Sequence, residues 1–404
     1  MVRTRLNREG IEQTLGHLEH AGLLRTLRVM EGREGARILL GGQRVVDFSS
    51  NDYLGLASHP DVTAAVVDSL ECSGVGAAAS RSISGNHVLH EAVERELAAL
   101  KGVDAALLFS SGYAANVGAL PALTGRRDVI YSDALNHASI IDGCRLSRAE
   151  TRVFPHGDLV TLERLLIEDQ GKYDGRLVVV EGVYSMDGDV FPLRELVSLC
   201  DRHQALSYVD DAHGTVVLGR DGSGSADHCG VHGMVHVTIG TLGKALGVSG
   251  AFVAGSEDLR RFLLNRARSF IFTTGTPPAL AAGVTAALEV ARREEWRRDA
   301  LWANVKCLRE GLRGIGVPLS TDIPGHILPL VIGDSKRTSA IANELLAAGY
   351  LVGAIRPPTV PRDTARLRIT VSAVHTDADL EGLLLALSGI LPRVSSTPRK
   401  KEAR

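Results

Sequence analysis

The feature that most constrains the fold is an alternation of short apolar runs and helical patterns between residues 60 and 285. One helical pattern is His90–Leu100, in which Val93 and Leu97 recur at helical spacing before Gly102 ends the run. Short apolar strands that alternate with helices predict an α/β fold, in which a mostly parallel sheet is flanked by helices on both faces. The apolar runs of this region include Ala105–Phe109, Leu177–Val180, Leu206–Val209 and Ala251–Ala254.

The flanking segments follow different patterns, and the chain is therefore expected to have four parts. Residues 1–47 predict an N-terminal helix and arm, and residues 48–285 form the predicted large domain. From 286 to 391, a long helical stretch is followed by two apolar runs and a further helix, which predicts a smaller C-terminal α/β domain. The polar and basic residues 392–404 predict a disordered tail.

Composition excludes several classes of function. The chain has 404 residues, of which 23% are charged, and a formal net charge of -2, so no overall field attracts nucleic acid. No apolar stretch reaches the roughly 20 residues that span a bilayer, and residues 1–10 lack the apolar run of a signal peptide. The cysteines are widely spaced and form no C-x-x-C pair, which indicates reduced thiols. We expect a soluble, cytoplasmic protein.

Lys244 is the first candidate catalytic residue. It lies among Gly, Thr, Ala and Leu, and no other charged residue occurs from Val237 to Ser256. A lysine held in apolar surroundings has a depressed pKa and can act as a nucleophile that forms a Schiff base. The alternative is a phosphate-binding loop, but its G-x-x-x-x-G-K-[ST] pattern is absent because Ala245 follows Lys244.

Two further segments place polar residues where predicted strands end. Asp210 follows an apolar run and precedes His213, at the carboxyl end of a strand, where open α/β sheets bind their ligands. Either residue alone is more often structural. Ser111 and Gly112 follow another apolar run and open a predicted helix, whose free N–H groups and dipole attract an anion. An ordinary serine N-cap is the alternative, but together with Lys244 these residues favour a phosphate-containing cofactor.

Seven segments share the pattern of one enzyme family: Ser49–Leu56, Gly74–His90, Ser110–Asn116, Asn136–Ser139, Glu181–Gly188, Asp210–Gly214 and Thr241–Gly247. In these segments the chain resembles the α-oxoamine synthases, acyltransferases of fold type I that depend on pyridoxal 5′-phosphate (PLP). The resemblance extends from Arg25 to about Val374. One segment alone is a weak signal, whereas the seven together are specific.

The resemblance implies a fold-type-I PLP-dependent transferase in which four residues are catalytic. Lys244 would hold PLP as a Schiff base, and Asp210 would pair with the pyridine nitrogen and keep it protonated. His137 would stack on the ring, while His213 and Ser185 would contact the phenolic oxygen. The phosphate contacts implied are Ser111, Gly112, Tyr113, Thr241 and, across the interface of a homodimer with shared active sites, Thr273 or Thr274.

The resemblance also implies the reaction, a decarboxylative Claisen-type condensation of an amino acid with an acyl-CoA thioester. The segment Ala354–Pro361 favours L-alanine and a pimeloyl thioester, as used in biotin synthesis. Arg356 would bind the amino acid carboxylate, since a guanidinium matches it bidentately. Arg25 and Asn51 are the other candidate substrate contacts. The alternatives are glycine with acetyl-CoA, another member of the family, or a non-catalytic partner subunit, which should lack the lysine.

Two other ligand classes are disfavoured. Gly74–Gly76 invites a dinucleotide interpretation, but it follows no convincing strand and a single Gly-x-Gly is weak. His228, His232 and His236 would share one face of a helix and could bind a metal there. Two glycines interrupt that helix, and no carboxylate is placed beside the histidines. We therefore expect no metal.

Overall fold

The structure is a computed structural model that describes residues 7–319 and 325–391, so the predicted tail 392–404 lies outside the described residues. The helices are α1 (Arg8–His20), α2 (Pro60–Ser73), α3 (Val88–Lys101), α4 (Gly112–Leu123), α5 (Ala138–Ser147), α6 (Leu159–Glu168), α7 (Leu193–Arg202), α8 (Ser225–His228), α9 (Glu257–Arg266), α10 (Arg268–Ile271), α11 (Pro278–Arg293), α12 (Trp296–Gly314), α13 (Ser335–Ala347) and α14 (Asp377–Ile390). The strands are β1 (Met30–Glu34), β2 (Arg37–Leu40), β3 (Gln43–Asp47), β4 (Ala105–Phe109), β5 (Val129–Asp133), β6 (Glu150–Phe154), β7 (Arg176–Glu181), β8 (Leu206–Asp210), β9 (Val237–Thr241), β10 (Ala251–Gly255), β11 (Ile327–Gly333), β12 (Tyr350–Leu351), β13 (Gly353–Ile355) and β14 (Ala365–Thr370).

The described residues form two compact units. The larger unit is Asn51–Asp299, and the smaller combines Met1–Ser50 with Ala300–Arg404. This division differs from the four predicted parts, in which the first 47 residues stood apart. The N-terminal segment belongs to the smaller unit because β3 pairs in parallel with β12, with Val46 opposite Tyr350. A pairing between strands so distant in the chain leaves no signal in local sequence.

In the larger unit, a sheet has the strand order β4-β10-β9-β8-β7-β5-β6. Strand β10 runs antiparallel to β4 and β9, while β5 to β9 pair in parallel. The prediction of a mostly parallel sheet is therefore confirmed. The four apolar runs named from the sequence coincide with β4, β7, β8 and β10.

Both faces of this sheet are covered, and β7 shows how. Val178 and Val180 pack into one apolar cluster with α6 and α7, whereas Leu177 and Val179 pack into another with α4 and α5. Successive strand residues point to opposite faces, so a strand buried on both sides reads as a continuous apolar run. This burial is the reason that β7 could be recognised from the sequence.

The smaller unit contains two sheets, with the orders β1-β2-β3-β12 and β11-β14-β13. The ring of Phe48 stacks on His375 with 4.1 Å between centroids, and the Phe48 carbonyl accepts a hydrogen bond from the N–H of Thr370 at 2.8 Å. The predicted long helical stretch is two helices, α11 and α12, separated at Glu294 and Glu295. No helix among the described residues is both long enough and apolar enough to cross a membrane.

The carboxyl edge of the larger sheet collects the predicted site residues. Glu181, Asp210 and Thr241 are the last residues of β7, β8 and β9, which lie side by side. Helices α4 and α5 begin near this level, each after a strand, with Ser111 and His137 as their N-cap residues. The carboxyl ends of parallel strands are the usual ligand-binding edge of such sheets.

Candidate active site

Lys244 lies in the turn between β9 and β10. Its carbonyl accepts a hydrogen bond from Gly247 at 2.8 Å, and Gly247 has a φ of 69°. A Cβ at this glycine would lie 2.3 Å from the backbone nitrogen of Ala57, so only glycine fits the turn. The turn directs the half-buried amine of Lys244 toward His213, where Nζ lies 2.9 Å from Nε2.

The contacts of His213 engage both nitrogens of its ring. The Tyr53 hydroxyl donates to Asn51 Oδ1 at 3.1 Å and lies 2.7 Å from His213 Nδ1. The Tyr53 hydroxyl thus links Asn51 to His213 Nδ1, while the other ring nitrogen, Nε2, faces the amine of Lys244. Asn51, predicted as a substrate contact, belongs to this network.

Asp210 is buried and held on both carboxylate oxygens. Oδ1 accepts from the N–H of Ala212 at 3.1 Å, and Oδ2 accepts from Asn116 Nδ2 at 2.8 Å. The amide of Asn116 is oriented by the Tyr208 hydroxyl, which donates to its Oδ1 at 2.6 Å. Asp210 is therefore a fixed acceptor at the carboxyl end of β8, suited to a cationic group of a ligand.

His137 faces the same network from the start of α5. The Asn116 amide donates to Ser139 Oγ at 2.9 Å, and that hydroxyl lies 2.7 Å from His137 Nδ1. The Ser139 N–H also donates to His137 Nδ1, at 3.3 Å, so this nitrogen is an acceptor and the proton sits on Nε2. Burial lowers the pKa of His137, with Lys244 adding to the effect against the opposing charge of Asp210. The His137 ring is therefore neutral.

Glu181 adds a second carboxyl group beside Asp210, with which it pairs in register across β7 and β8. Burial and the charge of Asp210 raise the pKa of Glu181, while hydrogen bonds from the N–H groups of Ser185 and His137 act in the opposite direction. Its Oε1 is buried without a partner among the described residues.

The N-terminus of α4 forms the anion-binding end of the site. Ser111 caps the helix by accepting from the N–H of Ala114 at 3.1 Å, which leaves the first N–H groups of the helix without helical partners. A Cβ on Gly112 would lie 2.7 Å from Thr241 Cγ2, so backbone and Thr241 approach closely here. The backbone of Tyr113 forms part of this helix start, while its half-exposed side chain points to Asp142, to which the hydroxyl donates at 2.5 Å.

The remaining predicted residues lie elsewhere. Arg356 and Arg25 belong to the smaller unit, where Arg356 Nη1 donates to the Gly22 carbonyl at 2.7 Å. Burial, together with the positive charges of Arg25 and Arg28, lowers the pKa of Arg356. This concentration of positive charge favours an anionic ligand. The segment that holds Thr273 and Thr274 follows α10 in the larger unit, and the predicted contact of either residue with a partner's phosphate stays a prediction.

The donor set fits PLP. The amine of Lys244 matches the aldehyde of PLP, and the fixed carboxylate of Asp210 matches its ring nitrogen. The neutral imidazole of His137 matches the ring face, and the N-terminus of α4 at Gly112 matches the phosphate. Sequence reasoning missed four members of this network: Tyr53, Asn116, Ser139 and Glu181. All four stood within segments that carried the family resemblance, but their contacts arise only in the folded chain.

Comparisons with known proteins agree with this geometry. Residues 43–387 match the family described as aminotransferase class I and II. An 8-amino-7-oxononanoate synthase from Geobacter sulfurreducens is 47% identical over 379 residues, which cover 93% of this chain and 96% of the relative. One from Thermoanaerobacter pseudethanolicus is 42% identical, with 94% of this chain and 96% of the relative covered.

Solved structures share the whole architecture. A variant serine palmitoyltransferase from S. paucimobilis, solved with a PLP–myriocin aldimine bound, superposes with a TM-score of 0.90 at 31% identity, and the match covers 95% of this chain and 96% of that one. An 8-amino-7-oxononanoate synthase from Francisella tularensis has a TM-score of 0.74 at 27% identity, with 85% and 97% covered. Fold and site together define a PLP-dependent transferase of fold type I. The chain belongs to the aminotransferase class I and II family.

Proposed function

We propose that this protein catalyses the decarboxylative condensation of L-alanine with a pimeloyl thioester, which yields 8-amino-7-oxononanoate, CO₂ and the free thiol carrier. This is the reaction for which the relatives from Geobacter sulfurreducens and Thermoanaerobacter pseudethanolicus are named. The proposal extends to a homodimer with shared active sites and to the cytoplasm, where the five free cysteines would stay reduced.

One observation carries the proposal: the amine of Lys244, 2.9 Å from His213 Nε2, occupies the sheet edge that also holds Asp210 and His137. A lysine amine in this setting suits Schiff-base chemistry, because the imidazole of His213 lies within hydrogen-bond distance and orients it. A non-catalytic subunit would have no need of that amine.

We assign the cofactor contacts as follows. Bound PLP supplies an aldehyde that accepts an amine and a ring that withdraws electrons from the α-carbon of an amino acid. Lys244 would hold the aldehyde, Asp210 the ring nitrogen and His137 the ring face. The remaining contacts would be His213 and Ser185 to the phenolic oxygen, and Ser111, Gly112, Tyr113 and Thr241 to the phosphate, with Thr273 or Thr274 from a second subunit.

The chain's own residues then divide the proton chemistry. As a free amine, Lys244 Nζ would take the α-proton of alanine, and His213, whose Nε2 lies 2.9 Å away, would orient that amine. The carboxylate of Asp210 stays in place because two N–H donors hold its oxygens. Well-oriented groups of this kind contribute about 7–11 kcal/mol of barrier reduction. The condensed β-keto acid then loses CO₂.

Substrate choice rests on the smaller unit. We propose that Arg356 binds the alanine carboxylate and that Arg25 contacts the acyl thioester, because their shared positive charge suits anionic groups. Asn51 is proposed as a further substrate contact. Both CoA and a carrier protein should be tested as the carrier of the acyl group.

The first test locates the amine. Borohydride reduction of the PLP-loaded enzyme followed by peptide mapping should place the label on Lys244. Lys244→Ala should remove both label and turnover, whereas the matched control Lys172→Ala, at an exposed lysine, should keep both. A label on another lysine, or unchanged turnover in Lys244→Ala, would contradict the proposed mechanism.

The second test identifies the substrates. Alanine, glycine and serine should be paired with pimeloyl, acetyl and palmitoyl thioesters, and release of thiol and CO₂ measured for each pair. Alanine with a pimeloyl thioester should react fastest. Preference for glycine with acetyl-CoA, or for serine with palmitoyl-CoA, would retain the enzyme class and replace the proposed substrates.

A further inference from the structure

His156 lies between two carboxylates, those of Asp133 and Asp189. Its Nδ1 lies 3.0 Å from Asp133 Oδ1, and its Nε2 lies 2.9 Å from Asp189 Oδ2. Both ring nitrogens therefore face acceptors, so both carry a proton and the ring is an imidazolium. The edge of this ring packs on Tyr184, with 4.3 Å between centroids and 71° between planes.

Asp133, the first of the two carboxylates, fixes the course of the chain that leads to His137. Asp133 ends β5, and its buried carboxylate also accepts from the N–H groups of Leu135 at 2.8 Å and Gly157 at 3.0 Å. The Asp133 carbonyl accepts from the N–H of Asn136 at 3.2 Å. This set of bonds determines the course of the chain just before His137, the N-cap of α5.

The Asp189 side fixes the loop that carries Ser185. The N–H of Tyr184 donates to the Asp189 carbonyl at 3.0 Å, and Val183 and Val190 form an antiparallel bridge. Asp189 thus stands opposite Tyr184 at the base of a tight turn, and Ser185 begins its tip. The ion pair between His156 and the Asp189 side chain therefore anchors this turn.

We propose that His156 is a positioning residue, whose imidazolium ties the Ser185 turn to the chain before His137 and so sets the spacing of two PLP contacts. This inference rests on the proposed roles of His137 and Ser185.

Electrostatics agree with the geometry. Burial lowers the pKa of His156, but hydrogen bonds and charge from Asp133 and Asp189 raise it to about 10. The titratable groups that face the ring are these two carboxylates and the phenol of Tyr184, whose pKa is raised well above its ordinary value, chiefly by burial. The imidazolium therefore persists at neutral pH, and a neutral amide cannot replace its charge.

The variants His156→Gln and Asp189→Asn test the proposal in the PLP-loaded enzyme. Both should retain labelling at Lys244, change the visible circular dichroism of bound PLP, and lower kcat about 10- to 100-fold, as misplacement by about 1 Å does. KM for alanine should change by less than about threefold. The control His203→Gln removes a histidine that pairs with Glu163 at 3.4 Å and should keep the wild-type spectrum and kcat.

Each outcome decides a separate question. If His156→Gln does not fold, Asp189→Asn, which keeps the size of the side chain, gives the answer. A lower melting temperature with wild-type dichroism and kcat in both variants would overturn the positioning role and leave the proposed function intact. A wild-type enzyme without label on Lys244 would overturn the proposed function itself.

Discussion

The amide of Asn116 donates to the carboxylate of Asp210 at 2.8 Å, and a buried tyrosine, Tyr208, fixes which way that amide points. Asp210 Oδ2 thereby gains a neutral donor that cannot be displaced by water, since Asn116 is 1% exposed. A neutral donor orients the carboxylate and leaves its negative charge for the ligand.

Replacement of Asn116 should therefore impair catalysis more than folding. In Asn116→Leu the Asp210 carboxylate and the Tyr208 hydroxyl each lose a partner, and an orphaned buried polar group costs about 1–3 kcal/mol. We expect weaker PLP binding and a drop of about 10- to 100-fold in kcat, measured by fluorescence titration and steady-state assay. Unchanged affinity and kcat would show that the Asn116 contact does not serve the cofactor.

Local sequence pointed to Lys244 and Asp210, but not to their contacts. Lys244 stood out because a long apolar segment contained no other charge, and Asp210 because it ended an apolar strand. The contacts Tyr53–His213 and Asn116–Asp210 join residues 160 and 94 positions apart. Hydrogen bonds over such separations depend on the register of the whole sheet, which no local pattern encodes.

The same limit applies to the fold. Strands β7 and β8 are buried on both faces and were visible as apolar runs, whereas β6 lies at the edge of the sheet and is mostly solvent-exposed. Its sequence is polar, and the periodicity of a buried strand is absent there. Likewise, the pairing of β3 with β12 depends on chain topology rather than on either strand's composition.

The buried ion pair between Lys101 and Asp211 should contribute strongly to the free energy of unfolding. Lys101 Nζ lies 2.7 Å from Asp211 Oδ2, with side chains 4% and 2% exposed, and also donates to Thr215 Oγ1 at 2.9 Å. Lys101→Met strands a buried carboxylate and should lower the free energy of unfolding by about 3–5 kcal/mol. Urea titration measures this loss.

The surface pair of Arg127 with Asp174, 85% and 59% exposed, is the matched control. Arg127→Ala should change the free energy of unfolding by less than about 1 kcal/mol. Adding Asp211→Asn to Lys101→Met should recover part of the loss, because the stranded charge is then gone. A loss in Lys101→Met no larger than in Arg127→Ala would contradict the importance of the buried pair.

Two buried histidines predict the response of stability to mild acid. Burial lowers the pKa of His90 and of His375 to about 4 in each case, with Arg81 adding to the effect at His90. Above the unfolded pKa of about 6.5 neither state gains a proton, and the full stability is present. As pH falls from there toward 4, the unfolded chain takes up protons that the folded chain refuses, so stability declines.

Unfolding midpoints at pH 7, 6 and 5 should therefore decrease in the wild type, and His90→Gln and His375→Gln should each flatten that decrease. For each histidine, the free energy of unfolding should change with pH by at most about 1.4 kcal/mol per pH unit. His20→Gln, at an exposed position in α1, should retain the wild-type slope. A wild-type slope in both buried variants would contradict the lowered pKa values.

Arg356 should control recognition of the amino acid. A planar guanidinium can bind a carboxylate through two parallel hydrogen bonds, which an ammonium cannot reproduce. Arg356→Lys should raise KM for alanine about 10- to 100-fold, because a hydrogen bond to a charged group contributes about 1.5–3 kcal/mol. Arg28→Lys, at a side chain that donates to Asn343 at 3.1 Å, is the control. An increase confined to the KM of the thioester would assign Arg356 to the acyl substrate.

The close contact between Gly112 and Thr241 at the start of α4 predicts a loss of PLP binding that a second substitution should restore. Gly112→Ala introduces a Cβ at 2.7 Å from Thr241 Cγ2, inside van der Waals contact, so helix or threonine must move. The affinity for PLP should fall by about tenfold or more, measured by titration of the cofactor-free enzyme, since the N–H groups at this end no longer converge on one phosphate.

Thr241→Ser removes only the methyl group that the new Cβ meets, and the serine hydroxyl can still donate to the Ala212 carbonyl, which Thr241 reaches at 3.3 Å. The double variant Gly112→Ala/Thr241→Ser should therefore recover most of the lost affinity. Gly76→Ala, where a Cβ meets nothing within 4 Å, should bind PLP as the wild type does. If Gly112→Ala binds PLP normally, or if Thr241→Ser fails to restore binding, the close approach of α4 to β9 does not shape the phosphate site.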